Sequence, residues 1–128
     1  MKLRLTLAAG LIAVLVPGLA AAASWVLLGS KNVRDRVDYD EIVLSGHRTF
    51  SQIKFCVQRH PVRFYDITIY FNNGGHQNIE IRQRIGAGVC SRAIDLDGGS
   101  RDIARIRLVY DESSALPRTA TVSAYGMR

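Results

Sequence analysis

The chain has little histidine, lysine, cysteine and proline, and no stretch with a helical period, and each shortage narrows what it can be. Its three histidines, His47, His60 and His76, all fall in expected turns, and none has a metal-binding partner at i+2, i+3 or i+4. A zinc site is therefore unsupported, and exposed turn histidine is the favoured reading. Two cysteines without a C-x-x-C motif argue against a thioredoxin-like centre. No G-x-S-x-G elbow is present, and no glycine-rich loop precedes a helix to cradle phosphate. Asp95, Asp97 and Asp102 in DLDGGSRD fit neither the EF-hand nor the glycine-rich calcium repeat, so the segment reads as turn chemistry. No pair of carboxylates stands out as an acid and base flanking a cleft. The expectation is no catalytic residue, no metal and no cofactor.

What is present is a pattern stated twice. Ile42, Leu44 and Gly46 recur as Ile94, Leu96 and Gly98, 52 residues later. Phe50, Ile53, Phe55 and Val57 recur as Ile103, Ile106, Leu108 and Tyr110, and Ile67, Ile69 and Phe71 as Ala120, Val122 and Ala124, both 53 residues later. Apolar residues at every second position within so long a period describe a duplicated β unit. The fold expected is all-β: an antiparallel β-sandwich of about eight strands, with two related halves packed face to face.

The beginning of the chain reads as an address. Lys2 and Arg4 precede an apolar run from Leu5 to Val16, Pro17 and Gly18 close it, and Ala20 to Ala23 suit a signal peptidase. Residues 1–23 are thus expected to be a cleavable signal peptide and residues 24–128 a single domain, with no transmembrane span after cleavage. An uncleaved anchor is the alternative, because no charge interrupts the chain from Leu5 to Leu28. A periplasmic or secreted location is expected with cleavage.

Without that segment, 15 basic and 11 acidic residues remain, a mild excess, and only three of the 17 basic residues in the whole chain are lysine. Arginine on that scale is either the solvated face of strands or a surface for anionic envelope components, and export weighs against nucleic acid. In an oxidising compartment Cys56 and Cys90 could be joined, which would stabilise the fold by about 3 to 4 kcal/mol on the chain-entropy argument. Against that, Cys56 has the parity opposite to Ile53, Phe55 and Val57 and so points outward. The bridge stays open at this point.

Along the domain, Trp25 and Leu27 alternate ahead of a bend or bulge at Gly29, Asn32 to Tyr39 reads as an edge strand, and DYDE as a turn before a short strand from Ile42 to Ser45. The three-residue steps from Phe50 to Ile53 and from Ile103 to Ile106 predict a bulge or tight turn at both strand starts. Val62 to Asn72 is a strand with Tyr65, Ile67, Ile69 and Phe71 inward. Asn72-Asn73-Gly74-Gly75 predicts a type I′ hairpin into His76 to Ile85, GAGVCS a flexible connection, and DESSALPRT a loop before a last strand, Arg118 to Gly126. If the two long strands share a sheet, Lys54, Arg105 and Arg107 form an outward basic stripe, and Tyr70 and Tyr125 also have outward parity.

The residues together resemble a group of small exported bacterial β-sandwich proteins of unknown function. The likeness rests on a Trp-x-x-Leu-Gly start at Trp25 to Gly29, an I-D-L-x-G-G-x-R-x-I segment at Ile94 to Ile103, and an aromatic-Gly close at Tyr125-Gly126. The resemblance supplies no catalytic residues, and the cysteine pair is not part of its pattern. The expected role is a non-catalytic binding module for an envelope component or a protein partner. The alternative is a small hydrolase with its site on loops at one end of the sandwich.

Overall fold

In a computed structural model, residues 24–34, 38–111 and 119–128 are described. The expected signal peptide, most of the DESSALPRT loop with Pro117, and Arg118 lie outside them. The described residues form two antiparallel sheets and contain no helix. The strands are β1 (Val26–Arg34), β2 (Asp38–Val43), β3 (Thr49–Phe50), β4 (Gln52–Gln58), β5 (Val62–Phe71) and β6 (His76–Ile79). They continue as β7 (Arg84–Ile85), β8 (Val89–Cys90), β9 (Ile94–Asp95), β10 (Arg101–Asp111) and β11 (Thr119–Met127). One sheet runs β9-β4-β11-β1 with β8 also on β4; the other runs β2-β10-β5-β6 with β3 on β10 and β7 on β5.

Alternation drives this arrangement. Ile53, Phe55 and Val57 of β4 face Ile67 and Ile69 of β5 and Ile106 and Leu108 of β10 across the interior, all fully buried. Phe55 and Phe64 meet between the layers with ring centroids 6.4 Å apart. Burying a side chain of this size is worth roughly 1.5 to 3 kcal/mol, so the facing rows are the main source of stability.

The duplication is visible in the ladders, in an exchanged form. Ile42 of the first copy pairs with Ile106 of the second, and Ile94 of the second pairs with Ile53 of the first. Two backbone bonds repeat the relation: Leu44 N–H donates to the Ala104 carbonyl at 3.0 Å, and Leu96 N–H to that of Ser51 at 2.8 Å. β4 of the first copy is therefore flanked by β9 and β11 of the second, and β10 of the second by β2 and β5 of the first. The expectation of one half per sheet is corrected on this point. The echo in the third strand is also displaced. Ile106 pairs with Ile69 while its counterpart Ile53 pairs with Gly126, a spacing of 57 where sequence matching gives 53. A shift of four keeps every side chain on its face, so parity cannot detect it.

Both three-residue steps mark real irregularities. Ala104 is a bulge between Ile103 and Arg105, and at Ser51 the chain leaves β3 in one sheet and starts β4 in the other. A bulge at Leu28 lies beside Gly29, as the bend there suggested. Four expectations are corrected. Tyr65 is an extra residue between Phe64 and Asp66 in the pairing with β10, so it turns outward and is 40% exposed. DYDE is not a turn but most of β2, whose Asp40 reaches inward to accept the Tyr110 hydroxyl at 2.7 Å. GAGVCS contains β8. The Asn-Gly hairpin forms where expected, but Phe71 and Gly75 close a three-residue loop in which Gly74 alone takes a positive φ, 97°, the geometry of a type I turn followed by a bulge.

Gly126 lies against the Phe50 ring, where an added Cβ would stand 2.7 Å from Cδ1. Phe50 is fully buried, so its ring is held among core neighbours. Gly126→Ala is expected to cost about 1 to 3 kcal/mol, measured as a lower midpoint in denaturant with an unchanged m-value.

Candidate functional site

The outer face of the β2-β10-β5-β6 sheet carries the densest set of outward polar and aromatic residues. Parity puts Arg105 and Arg107 outward on β10, and register sets Arg105 beside Tyr70 and Arg107 beside Glu41 and Thr68. The Arg105 guanidinium lies 3.7 Å from the Tyr70 ring centroid, and Tyr70 in turn is 6.0 Å from its cross-strand partner His76. Glu41 forms an ion pair with Arg105. Arg107 is 4.6 Å from the centroid of Tyr39, which is 54% exposed. Arginine over tyrosine fixes the guanidinium plane while leaving its edge donors toward solvent. Tyr39 and Glu41 are hidden in sequence because the aspartates of DYDE carry a turn signal, whereas the segment is strand. The alternation of Tyr39, Glu41 and Val43 against Asp40, Ile42 and Leu44 was the available signal.

Lys54 and Tyr125 are brought together elsewhere, on the outer face of the other sheet. They are direct cross-strand partners, and the Lys54 ammonium sits 4.5 Å from the Trp25 centroid and 5.9 Å from that of Tyr125. The expected stripe joining Lys54 to Arg105 and Arg107 is thus split across the sandwich, because the exchange between copies places β4 and β10 in different sheets. On the same side as Lys54, Cys56 and Cys90 are joined in a disulfide between register partners of β4 and β8. Cys56 has the outward parity its sequence position implies. Its partner reaches it on that face from a neighbouring strand, which removes the geometric objection.

At one end of the sandwich, His47 and Asp102 are hydrogen-bonded, Nδ1 to Oδ2, at 2.8 Å. Asp102 also accepts from Asn72 Nδ2 at 2.8 Å and from the Arg48 N–H at 3.2 Å. Arg101 stacks 3.7 Å from the Phe71 centroid and donates to the Asp97 carbonyl at 2.7 Å, tying down the turn that follows β9. The aspartates of DLDGGSRD are engaged separately, Asp95 by Gln52 and Asp102 by Asn72 and His47. Among the described residues no three His, Cys, Asp or Glu side chains converge on a possible metal position. His47 and His60 lie in turns, whereas His76 begins β6.

The Asn72 amide, and after it His47, hold the Asp102 carboxyl below its ordinary pKa. A lowered folded-state value means that its contribution to stability is present above the unfolded pKa and is lost as pH falls through the folded one. Asp102→Asn is therefore expected to lose less stability than the wild type between about pH 4 and pH 2, as read from thermal unfolding at each pH; identical acid limbs would contradict this.

Residues 6–126 match the family model described as Domain of unknown function (DUF2541). No curated protein matches the chain. Among solved structures, a chain from "Structure of infectious bursal disease virus Gx strain" is similar at 13% identity and a TM-score of 0.32. The match covers 82% of this chain and 28% of the viral one, and at that score it carries no argument. Among the described residues no helix is long and apolar enough to cross a membrane.

Proposed function

The chain belongs to the DUF2541 family, and we propose that it is a non-catalytic binding module of the periplasm or cell exterior. It holds an envelope component or a partner protein on the outer face of the β2-β10-β5-β6 sheet. The observation that carries this reading is the pair of guanidinium groups, Arg105 and Arg107, stacked on Tyr70 and Tyr39. Side chains ordered before the ligand arrives lose less entropy on binding. The Cys56–Cys90 disulfide supports an oxidising compartment.

One observation favours the hydrolase reading, namely the hydrogen-bonded His47 and Asp102 on the loops. The His47 side chain is 81% exposed, however, and a general base works best where water is excluded. Hydrolysis of a soluble ester or glycoside that disappears in His47→Ala would favour this alternative.

For the binding reading, purified protein is incubated with fractionated envelope material and with a glycan array. Arg105→Ala combined with Arg107→Ala is expected to weaken the strongest interaction about tenfold or more, the scale of two charge-assisted contacts, with an unchanged far-UV spectrum. Full retention of binding in that variant would overturn the assignment of the face.

A further inference from the structure

We propose that the corner of this sheet where β4 turns into β5 binds a ligand carrying two neighbouring phosphate groups. The inference rests on the reading of the β2-β10-β5-β6 face as a binding surface and names the chemistry at one end of it. Two unfavourable features of separate origin meet there. In the β5–β7 ladder Arg63 stands directly opposite Arg84, and the neighbours Val62, Phe64 and Ile85 all point inward, so both arginines project from the same outer face. Like charges placed directly opposite destabilise a sheet. The second feature is backbone strain at Arg59. It is the one non-glycine residue with positive φ among the described residues, at 81°, and His60 N–H donates across it to the Gln58 carbonyl at 3.0 Å. That is a strained three-residue turn for any side chain with a Cβ, and glycine would relieve it.

Among the described residues these charges have no ion-pair partner. The ion pairs among the described residues are His47 with Asp102 and Arg105 with Glu41, so Arg59, Arg63 and Arg84 have none there. Asp111, opposite Arg63 on β10, offsets part of one charge while its Oδ2 accepts the Tyr65 hydroxyl at 3.0 Å, and it makes no ion pair with Arg63. Arg82, exposed two residues before Arg84, is a further arginine in this stretch, with exposed Glu80 two residues before it. Arg59 is four residues from Arg63, so their Cα atoms are at most about 14 Å apart even with the chain fully extended.

The ligand class follows from geometry and charge. Guanidinium forks match phosphate oxygens in bidentate fashion. Opposed strands hold Cβ atoms about 5 Å apart, a separation that serves adjacent phosphates. Two neighbouring phosphate groups, monoester or diester, carry at least about −2 together, enough to offset the opposed Arg63 and Arg84.

Titration calorimetry on the full chain with inorganic pyrophosphate, inorganic phosphate and citrate tests the site. Pyrophosphate is expected to bind at least tenfold more tightly than either of the others, and Arg63→Gln with Arg84→Gln to remove that advantage. Both Arg84→Gln and Arg59→Gly are expected to raise Tm without ligand while weakening pyrophosphate binding. Vesicles of phosphatidylcholine containing cardiolipin, compared with vesicles carrying the same charge as phosphatidylglycerol, identify the source. Preference for cardiolipin assigns a lipid headgroup; pyrophosphate binding without vesicle binding assigns a soluble phosphate compound. Equal affinity for citrate, or unchanged pyrophosphate affinity in the double variant, would overturn the inference. Loss of envelope binding in the Arg105 and Arg107 variant would leave the binding surface itself standing in that case.

Discussion

Hydrogen bonding between the two copies of the repeat is the constraint from which the other features follow. The Leu44 amide is bonded to Ala104 and the Leu96 amide to Ser51, so neither copy can complete a sheet by itself. The same exchange sends the chain across the sandwich at Ser51, places β4 and β10 at the centres of different sheets, and buries Ile53, Phe55, Ile106 and Leu108 between them. Contacts of this kind are distant in sequence, and topologies rich in them fold more slowly than those built from local contacts. The disulfide reinforces the arrangement where it is weakest. A two-residue β8 has few ladder bonds of its own, and the Cys56–Cys90 link, with a sequence separation of 34, holds it to a central strand. On the chain-entropy argument that link contributes about 3 to 4 kcal/mol.

Alternation made the faces legible and left the neighbours hidden. Inward positions such as Ile79, Ile81 and Ile85, and outward ones such as Lys54, Cys56 and Arg107, follow from parity alone. Which strand lies beside which does not, because every even shift of register satisfies the same pattern. That is why the third-strand echo sits four residues from its structural counterpart, and why a basic stripe drawn from Lys54 to Arg107 falls on two opposite surfaces. The Tyr65 error has a different cause. The step from Phe64 to Ile67 carries the same three-residue signature as Phe50 to Ile53, but a tyrosine in an apolar run conceals it. Tyr39 and Glu41 were lost to the turn propensity of aspartate, which pairing with β10 overrides in the folded chain.

The I-D-L-x-G-G-x-R-x-I segment and the aromatic-Gly close are explained by packing rather than by chemistry. Leu96 in the I-D-L-x-G-G-x-R-x-I segment makes the exchanged backbone bond to Ser51, and Gly126 in the aromatic-Gly close admits the Phe50 ring against its Cα. Arg101 of the same segment is occupied with Phe71, Asn73 and Asp97. Such residues maintain the sandwich and are poor guides to a ligand. Recognition has to be sought among outward positions that the fold does not require.

On those positions the costs are unevenly distributed. Most exposed charges sit where a solvated strand surface would tolerate them, and Arg105 and Lys54 gain contacts that stabilise them in place. Arg59, Arg63 and Arg84 form no ion pair among the described residues, and the first also strains its own backbone. A positive φ at a non-glycine residue costs on the order of 1 to 3 kcal/mol, a sizeable part of the 5 to 15 kcal/mol typical of a whole domain. Glycine at position 59 would remove that strain, and a neutral residue at 84 would remove the repulsion, with no core contact disturbed in either case. Two independent local penalties at one corner, each reversible by one substitution, are better accounted for by a bound anion than by the needs of folding.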